Sequence, residues 1–281
     1  MDKFEIASGS VPGYHHVNAE RNNQDALSII EGKDVIAACV CDGCGSTPHA
    51  ELGARLGANM IVKAAIQQLS DYFADGYSGT IFNKQSLFFR DLTNAVLGKM
   101  EDTIRSNFCS PTRESARDHF LFTCMGLVVT KEVGCVFSFG DGAWAFNGNN
   151  IEIAFEGNAP PYLGHYFTRQ GVGNGRQFNP EAVFLTKEIN SILVGSDGCG
   201  DIVKSSEKEM PGKAKGLVGS IDQFWTNDDF FKNQDAVRRR LASIGKVHKE
   251  IDWEDRVVKK TKPILLDDTT LVVLRRKKEK P

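Results

Sequence analysis

The sequence predicts an α+β fold built mainly on antiparallel strands, and three observations carry that expectation. Short runs of β-branched and aromatic residues, split by Gly, Asn and charged residues, recur from residue 119 to the closing "TTLVVLRR". One long stretch, residues 48–73, instead places Leu52, Leu56 and Met60 at steps of four, which is the spacing of a helix face. Strands fall in both halves with no repeat and no low-complexity linker between them, so a single domain over residues 1–281 with one shared core is expected.

In order along the chain, "DVIAACVCD" is a short apolar run bounded by charge, as a buried strand requires. Pro48 then signals the start of a helix of five or six turns, and Gly53 and Gly57 leave it a smooth stripe for close packing. A second helix is predicted over roughly residues 84–106. The runs "HFLFTCMGLVVT", "EVGCVFSFG", "GAWAFNG" and "NIEIAFEG" read as consecutive antiparallel strands. "GVGNGRQFNP" is a polar loop that lacks the Lys-Ser/Thr ending of a phosphate-cradling loop and opens no helix, so it does not suggest nucleotide binding. "AVFLT" and "NSILVGSDG" are further strands, and helical material such as "DAVRRRLASIG" precedes the last one. Trp225, Phe224, Phe230 and Phe231 are expected in the core rather than on a docking surface, and residues 158–165 form a loop near the site. The basic residues 275–281 are expected as a solvated, flexible tail.

Composition narrows the function. A formal net charge of -2 gives no global basic field for nucleic acid. No segment approaches the length of a membrane span or a signal peptide, and seven cysteines do not form the framework of a small secreted domain. A cytoplasmic monomer with reduced thiols is the expectation. Cys39 and Cys41 lie within an apolar strand, where cysteine acts as a small hydrophobe, so a zinc site built from Cys39, Cys41, Cys44 and Cys199 is not favoured.

The chemistry lies in the carboxylates. Asp25 in "NNQDAL", Asp42 in "CVCDGCGS", Asp197 in "ILVGSDGCGD" and Asp267 in "ILLDDTTLVV" all stand where an apolar strand meets a tight turn, and Asp141 in "FSFGDGAW" does the same. Each alone is an ordinary turn residue. If several converge, their repulsion must be offset by cations, and hard oxygen ligands favour Mg2+ or Mn2+.

The ordered set "NQDA", "CDGCGS", "FGDG", "GSDG" and "DDTTLVV", spread over residues 23–273, resembles the metal-dependent (PPM, type 2C) serine/threonine protein phosphatases, especially their compact bacterial branch. The resemblance implies a four-layer α-β-β-α sandwich, two packed mainly antiparallel sheets flanked by helix pairs. It implies a phosphatase that hydrolyses phosphoserine or phosphothreonine by direct attack of a hydroxide bridging two metal ions, Mn2+ or Mg2+, with a weaker third ion in some members. On that pattern Asp42 bridges both metals, the carbonyl of Gly43 binds one, Asp197 and Asp267 complete the first metal's ligands, and Asp141 with Asp197 offers the third site. Asp25 holds metal-bound water. Gln24 stands where many members have Glu, so the second ion is expected to bind more weakly, at millimolar manganese.

The usual phosphate-binding arginine falls at Glu20, one position from Arg21, whereas His16 lies nine residues before Asp25 as in the bacterial branch; His16 is favoured for the phosphate side. Cys44 replaces a histidine thought to protonate the leaving group. Cys44 and Cys199 are both expected beside the metals, and so to make the protein sensitive to oxidation. Phosphoprotein substrates are implied, with a cognate Ser/Thr kinase as a partner by analogy, and residues 202–262 match the family's variable region. The alternative is a pseudophosphatase that only docks phosphoproteins; the intact Asp42, Asp197 and Asp267 argue against it. A haloacid-dehalogenase-type phosphatase would need an Asp-x-Asp pair after a strand, which is missing.

Overall fold

The computed structural model describes residues 1–74, 81–82, 87–107, 113–168, 177–212 and 216–278. The loop "GVGNGRQFNP" therefore lies largely outside the described residues. The chain runs β1 (Phe4–Val11), α1 (Tyr14–Asn18), β2 (Asp25–Glu31), β3 (Val35–Gly43), α2 (Ala50–Ala74), α3 (Phe88–Asn107), α4 (Arg113–His119), β4 (Phe122–Thr130), β5 (Val133–Phe139), β6 (Gly142–Phe146) and β7 (Asn149–Ile153). It continues through β8 (Asn179–Leu185), β9 (Ser191–Gly195), α5 (Cys199–Lys204), α6 (Gln223–Thr226), α7 (Asp229–Lys232), α8 (Ala236–Ile244), β10 (Lys249–Asp252), β11 (Val257–Lys260) and β12 (Thr269–Arg276).

Two five-stranded antiparallel sheets result, ordered β1-β12-β9-β6-β7 and β2-β3-β4-β5-β8, with β10 and β11 as a separate hairpin. Period-two alternation sorts their side chains. Ile36, Ala38 and Val40 of β3 meet Ile192, Val194, Val272 and Leu274 of the other sheet in an inter-sheet core. Ala37, Cys39 and Cys41 face the opposite way, into a second core under α2 and α3. A third core joins the outer face of the first sheet to α5–α8. The α-β-β-α layering follows from these three apolar interfaces.

Several elements differ from the sequence reading. The strands over residues 119–156 are not one meander: β4 and β5 belong to one sheet, β6 and β7 to the other, and the chain crosses between them at Gly140–Asp141. On the second outer face four short helices replace a helix pair, because Asn227 and Asn233 accept backbone N–H bonds from Asp229 and Asp235 and restart the chain at each turn. Phe224 and Phe230 are buried there, with Trp225 and Phe231 packed against them. The basic run does not begin as a tail. Arg275 is buried in β12, stacks 3.8 Å over the Phe231 ring, and pairs with Glu5 at 2.7 Å and Asp228 at 2.9 Å.

The glycines of α2 serve close approach. Gly53 abuts the His119 carbonyl, and Gly57 lies under the Phe122 ring. Gly98 on α3 has nothing within 4 Å of a built Cβ. The same substitution should therefore act with opposite sign at the two helices. Gly98→Ala is expected to stabilise by about 1 kcal/mol through helix propensity, and Gly57→Ala to destabilise by roughly 1–3 kcal/mol through overpacking. Urea unfolding of both variants checks this; a loss at Gly98 or a gain at Gly57 contradicts it.

Candidate metal centre

The alternation that builds the inter-sheet core also delivers the site. Asp42 continues the Ile36–Ala38–Val40 row, so its side chain leaves β3 on the inter-sheet side at the open end of the sandwich. Asp25 heads β2 directly opposite it, and Thr123 of β4 flanks it on the other side. Asp197 follows β9 and precedes α5. Asp267 and Asp268 precede β12, and parity separates them: Asp268 shares the inward row of Thr270 and Val272 and is buried, whereas Asp267 is exposed.

A cavity of roughly 170 Å³ opens here, lined by Asp42, Gly43, Asp141, Asp197, Asp267 and His16, with His15, Cys44, Thr123 and Tyr162 among its other walls. Of the residues singled out in the sequence, Gln24 and Asp25 stand behind this wall, 2% and 5% exposed. The Gly43 N–H donates to the Gln24 carbonyl at 3.2 Å, which zips the two loops together. Gly43 is required by packing, since a Cβ there would lie 2.7 Å from the Ala50 Cβ.

Electrostatics mark the cavity as a seat for cations. Burial pushes the Asp42 carboxyl well above its ordinary value, and Asp25, Asp197, Asp267 and Asp141 push it further. Asp25 is raised first by burial and then by Asp268, against a hydrogen bond of 2.7 Å from Ser196 Oγ to its Oδ2. Burial also raises Asp141. Among the described residues, no Lys or Arg lines the cavity. Gln24 Oε1, Asp25 Oδ1 and Asp197 Oδ1 are buried acceptors with no donor. Carboxylates and an amide oxygen left unpaired in this way fit hard divalent ions. His16, Asp267 and Asp268 form a further group whose donor atoms lie within 4.8 Å of one another.

Two candidates for the phosphate side are placed differently. Arg21 Nη1 donates to the Gly45 carbonyl at 2.9 Å and Nη2 to the Thr47 carbonyl at 3.2 Å, so it props the loop after Asp42. His16 lines the cavity, and its Nδ1 sits 2.8 Å from Asp268 Oδ1.

Of the cysteines, Cys44 lines the cavity, but Cys199 does not. Its thiol is buried in the core under α5, 3.7 Å from the Thr270 carbonyl, and burial pushes its pKa up, so the expectation that it flanks the metals is corrected. Cys39 and Cys41 face α2, and no four-thiolate site is assembled from these residues. Sequence reasoning missed Asp268 and Tyr162. The only signal for Asp268 was the Asp-Asp doublet, whose inward member is fixed by pairing register.

Against known proteins, the sequence matches the family described as protein phosphatase 2C over residues 12–243. Its fold is similar to that of a bacterial serine phosphatase, at 14% identity and a TM-score of 0.51, covering 99% of this chain and 100% of that one. The serine/threonine phosphatase Stp1 from Staphylococcus aureus is also similar, at 14% identity and a TM-score of 0.50, covering 98% and 96%. At these identities the likeness shows the fold. No curated protein matches the sequence.

The crowded carboxylates predict a pH dependence. Asp197 is pushed from 3.8 up to about 6, first by burial and then by Asp267 and Asp141. The folded state thus holds its proton more tightly than the unfolded state, so the stability of metal-free protein falls as pH rises from about 4 to 6 and stays low above. In chelator at pH 7, Asp197→Asn is expected to be more stable than wild type by up to about 3 kcal/mol, with the gap closing near pH 4. Excess Mn2+ should reverse the order at pH 7, because the wild type retains the ligand. Urea titrations at each pH measure this, and a variant no more stable than wild type in chelator contradicts it.

Proposed function

The chain belongs to the protein phosphatase 2C family, and on that premise we propose that it hydrolyses phosphoserine and phosphothreonine in proteins with two divalent ions held at the Asp42 end of the sandwich. The observation that carries this reading is the convergence of Asp42, Asp141, Asp197 and Asp267 on one cavity with no Lys or Arg among its described lining residues. When bound, Mn2+ or Mg2+ would lower the pKa of water to supply the nucleophile and would screen the phosphate charge.

The protein's own groups have separable tasks. Asp42 would bridge the two ions, with the Gly43 carbonyl beside it; Asp197 and Asp267 would complete one ion's ligands, and Asp141 would serve a weaker third. Asp25, fixed by Ser196 and by its own N–H to Asn23 Oδ1 at 2.9 Å, would accept hydrogen bonds from water in the cavity through its unpaired Oδ1. Gln24 would offer Oε1 without a charge, so the second ion is held less tightly than a glutamate would hold it. His16, with its Nδ1 beside the Asp268 carboxylate, would turn Nε2 toward the phosphate. Phosphoproteins are the substrate class this implies, and a Ser/Thr kinase acting on the same proteins is the natural counterpart.

A phosphothreonine peptide assayed with Mn2+, Mg2+ or chelator tests the reading. Turnover should require the ion, and Asp42→Asn should fall by at least about 10³-fold, the scale of losing a principal electrostatic element of a site. Metal-independent turnover or full activity in the variant would end the two-ion reading. Gln24→Glu should lower the Mn2+ concentration for half-maximal activity by about tenfold, as one added carboxylate ligand strengthens cation binding; an unchanged midpoint would remove Gln24 from the ion's surroundings.

A further inference from the structure

Beside the candidate metal cavity lies a second basin of about 310 Å³. The two share His15, Asp141, Asp197 and Asp267 along their common wall, so the second lies within reach of a peptide whose phosphate enters the first. The far wall is formed by Glu152 of β7 and by Lys204 of α5, with Lys204 Nζ 3.3 Å from Glu152 Oε1. Lys204 is the only Lys or Arg among the described residues lining either cavity.

The two members of this pair are not equivalent. Glu152 stands on a strand, opposite Ala143, and its carboxylate and the Lys204 ammonium both lie over Gly200, where a Cβ would come within 2.9 Å of Oε1 and 3.3 Å of Nζ. Lys204 reaches the same spot on a flexible stem, its side chain 66% exposed. Water and salt screen an exposed pair of this kind, so it is held weakly. Glu152 has the shorter stem and the lower exposure, 42%, so the ammonium is the more easily displaced of the two. Asp201 on the same helix adds a second carboxylate, whose Oδ2 accepts the Leu266 N–H at 2.8 Å. The chain thus lays one of its own cations across a basin that a foreign cation could occupy.

We propose that this basin is the subsite for the residue next to the phosphorylated one, that it takes a Lys or Arg side chain, and that Lys204 is the internal cation such a residue displaces from Glu152. The proposal rests on the phosphatase reading for its substrate, but the charge selection depends on Glu152, Asp201 and Lys204 at the basin's far side. A basic neighbour gains a charge pair with Glu152, whereas an acidic neighbour meets Glu152 and Asp201 as like charges.

The test uses phosphothreonine peptides identical except for Arg, Ala or Glu at the positions flanking the phosphothreonine, together with a small aryl phosphate, on wild type, Glu152→Gln and Lys204→Ala. KM should rise from the Arg to the Ala to the Glu peptide in wild type. Glu152→Gln should raise KM for the Arg peptide about fivefold with kcat unchanged, the factor that corresponds to losing one exposed charge pair. Lys204→Ala should lower that KM without helping the Glu peptide, and aryl phosphate turnover should be the same in all three proteins. Equal KM values for the three peptides in wild type, or an Arg preference that survives Glu152→Gln, would overturn the proposal while leaving the phosphatase reading intact. If neither peptides nor aryl phosphate turn over, the phosphatase reading has failed, and fluorescence anisotropy of the labelled peptides decides the subsite on its own. An Arg preference abolished by Glu152→Gln supports it, and equal Kd values overturn it.

Discussion

The carboxylate of Asp268 holds the candidate site together. It is 2% exposed, and its Oδ1 accepts the Gly13 N–H at 2.7 Å while its Oδ2 accepts the Gln24 N–H at 2.5 Å. His16 Nδ1 stands 2.8 Å from the same Oδ1. A buried carboxylate is costly unless hydrogen bonds satisfy it, and here two backbone N–H groups, of Gly13 and Gln24, 255 and 244 residues away in sequence, do so. Tyr14 and His15 add backbone bonds of 3.0 and 3.1 Å to the carbonyls of Leu265 and Leu266. The approach to β12 thereby becomes the anchor for α1 and for the entrance to β2, and these in turn set the positions of His16, Gln24 and Asp25.

Around that anchor the sandwich concentrates like charges that would otherwise separate. Asp25, Asp42 and Asp268 all occupy inward-facing rows of their strands, so the alternation that packs Val40 against the other sheet also directs carboxylates into the gap at its end. Ladder pairing holds Asp25 opposite Asp42 regardless of their repulsion, because slipping either strand by one residue would turn its whole apolar row out of the core. The raised carboxyl pKa values of Asp25 and Asp42 are the visible cost of this arrangement. Such repulsion is sustained by the rest of the fold and would be relieved by cations in the site.

Much of this was legible in the sequence because an apolar run that stops at Asp-Gly announces both a strand and a carboxylate at its end. β3 with Asp42 and β9 with Asp197 are of this kind. β1 was not legible: "FEIASGSV" carries serines and a glycine on an edge strand whose identity comes from pairing with β12. β2 was hidden for a related reason, since "DALSIIE" is short and its inward row is only partly apolar until β3 is beside it. Arg275 reads as part of a basic tail until Glu5, Asp228 and Phe231, which are remote in sequence, are brought around it. The crossing between sheets at Asp141 was likewise invisible, because local pattern says that a strand ends but not which sheet the next one joins.

The charge of the cavity wall also bears on the order in which an ion and a phosphate would enter. A phosphate monoester is dianionic near neutral pH, and it would meet Asp42, Asp141, Asp197 and Asp267 with only His15 and His16 as compensating groups among the described lining residues. Arg21, the nearest candidate for a permanent cation, spends its guanidinium on the carbonyls of Gly45 and Thr47. Without divalent ions the cavity would therefore repel a phosphate, and with them the same oxygens would hold the charge that attracts it. Metal and phosphate binding would then be coupled with positive sign, and because such coupling is reciprocal, bound phosphate would tighten the metal by the same factor. Bound substrate would thus help to retain whichever ion the protein's own oxygens hold least tightly.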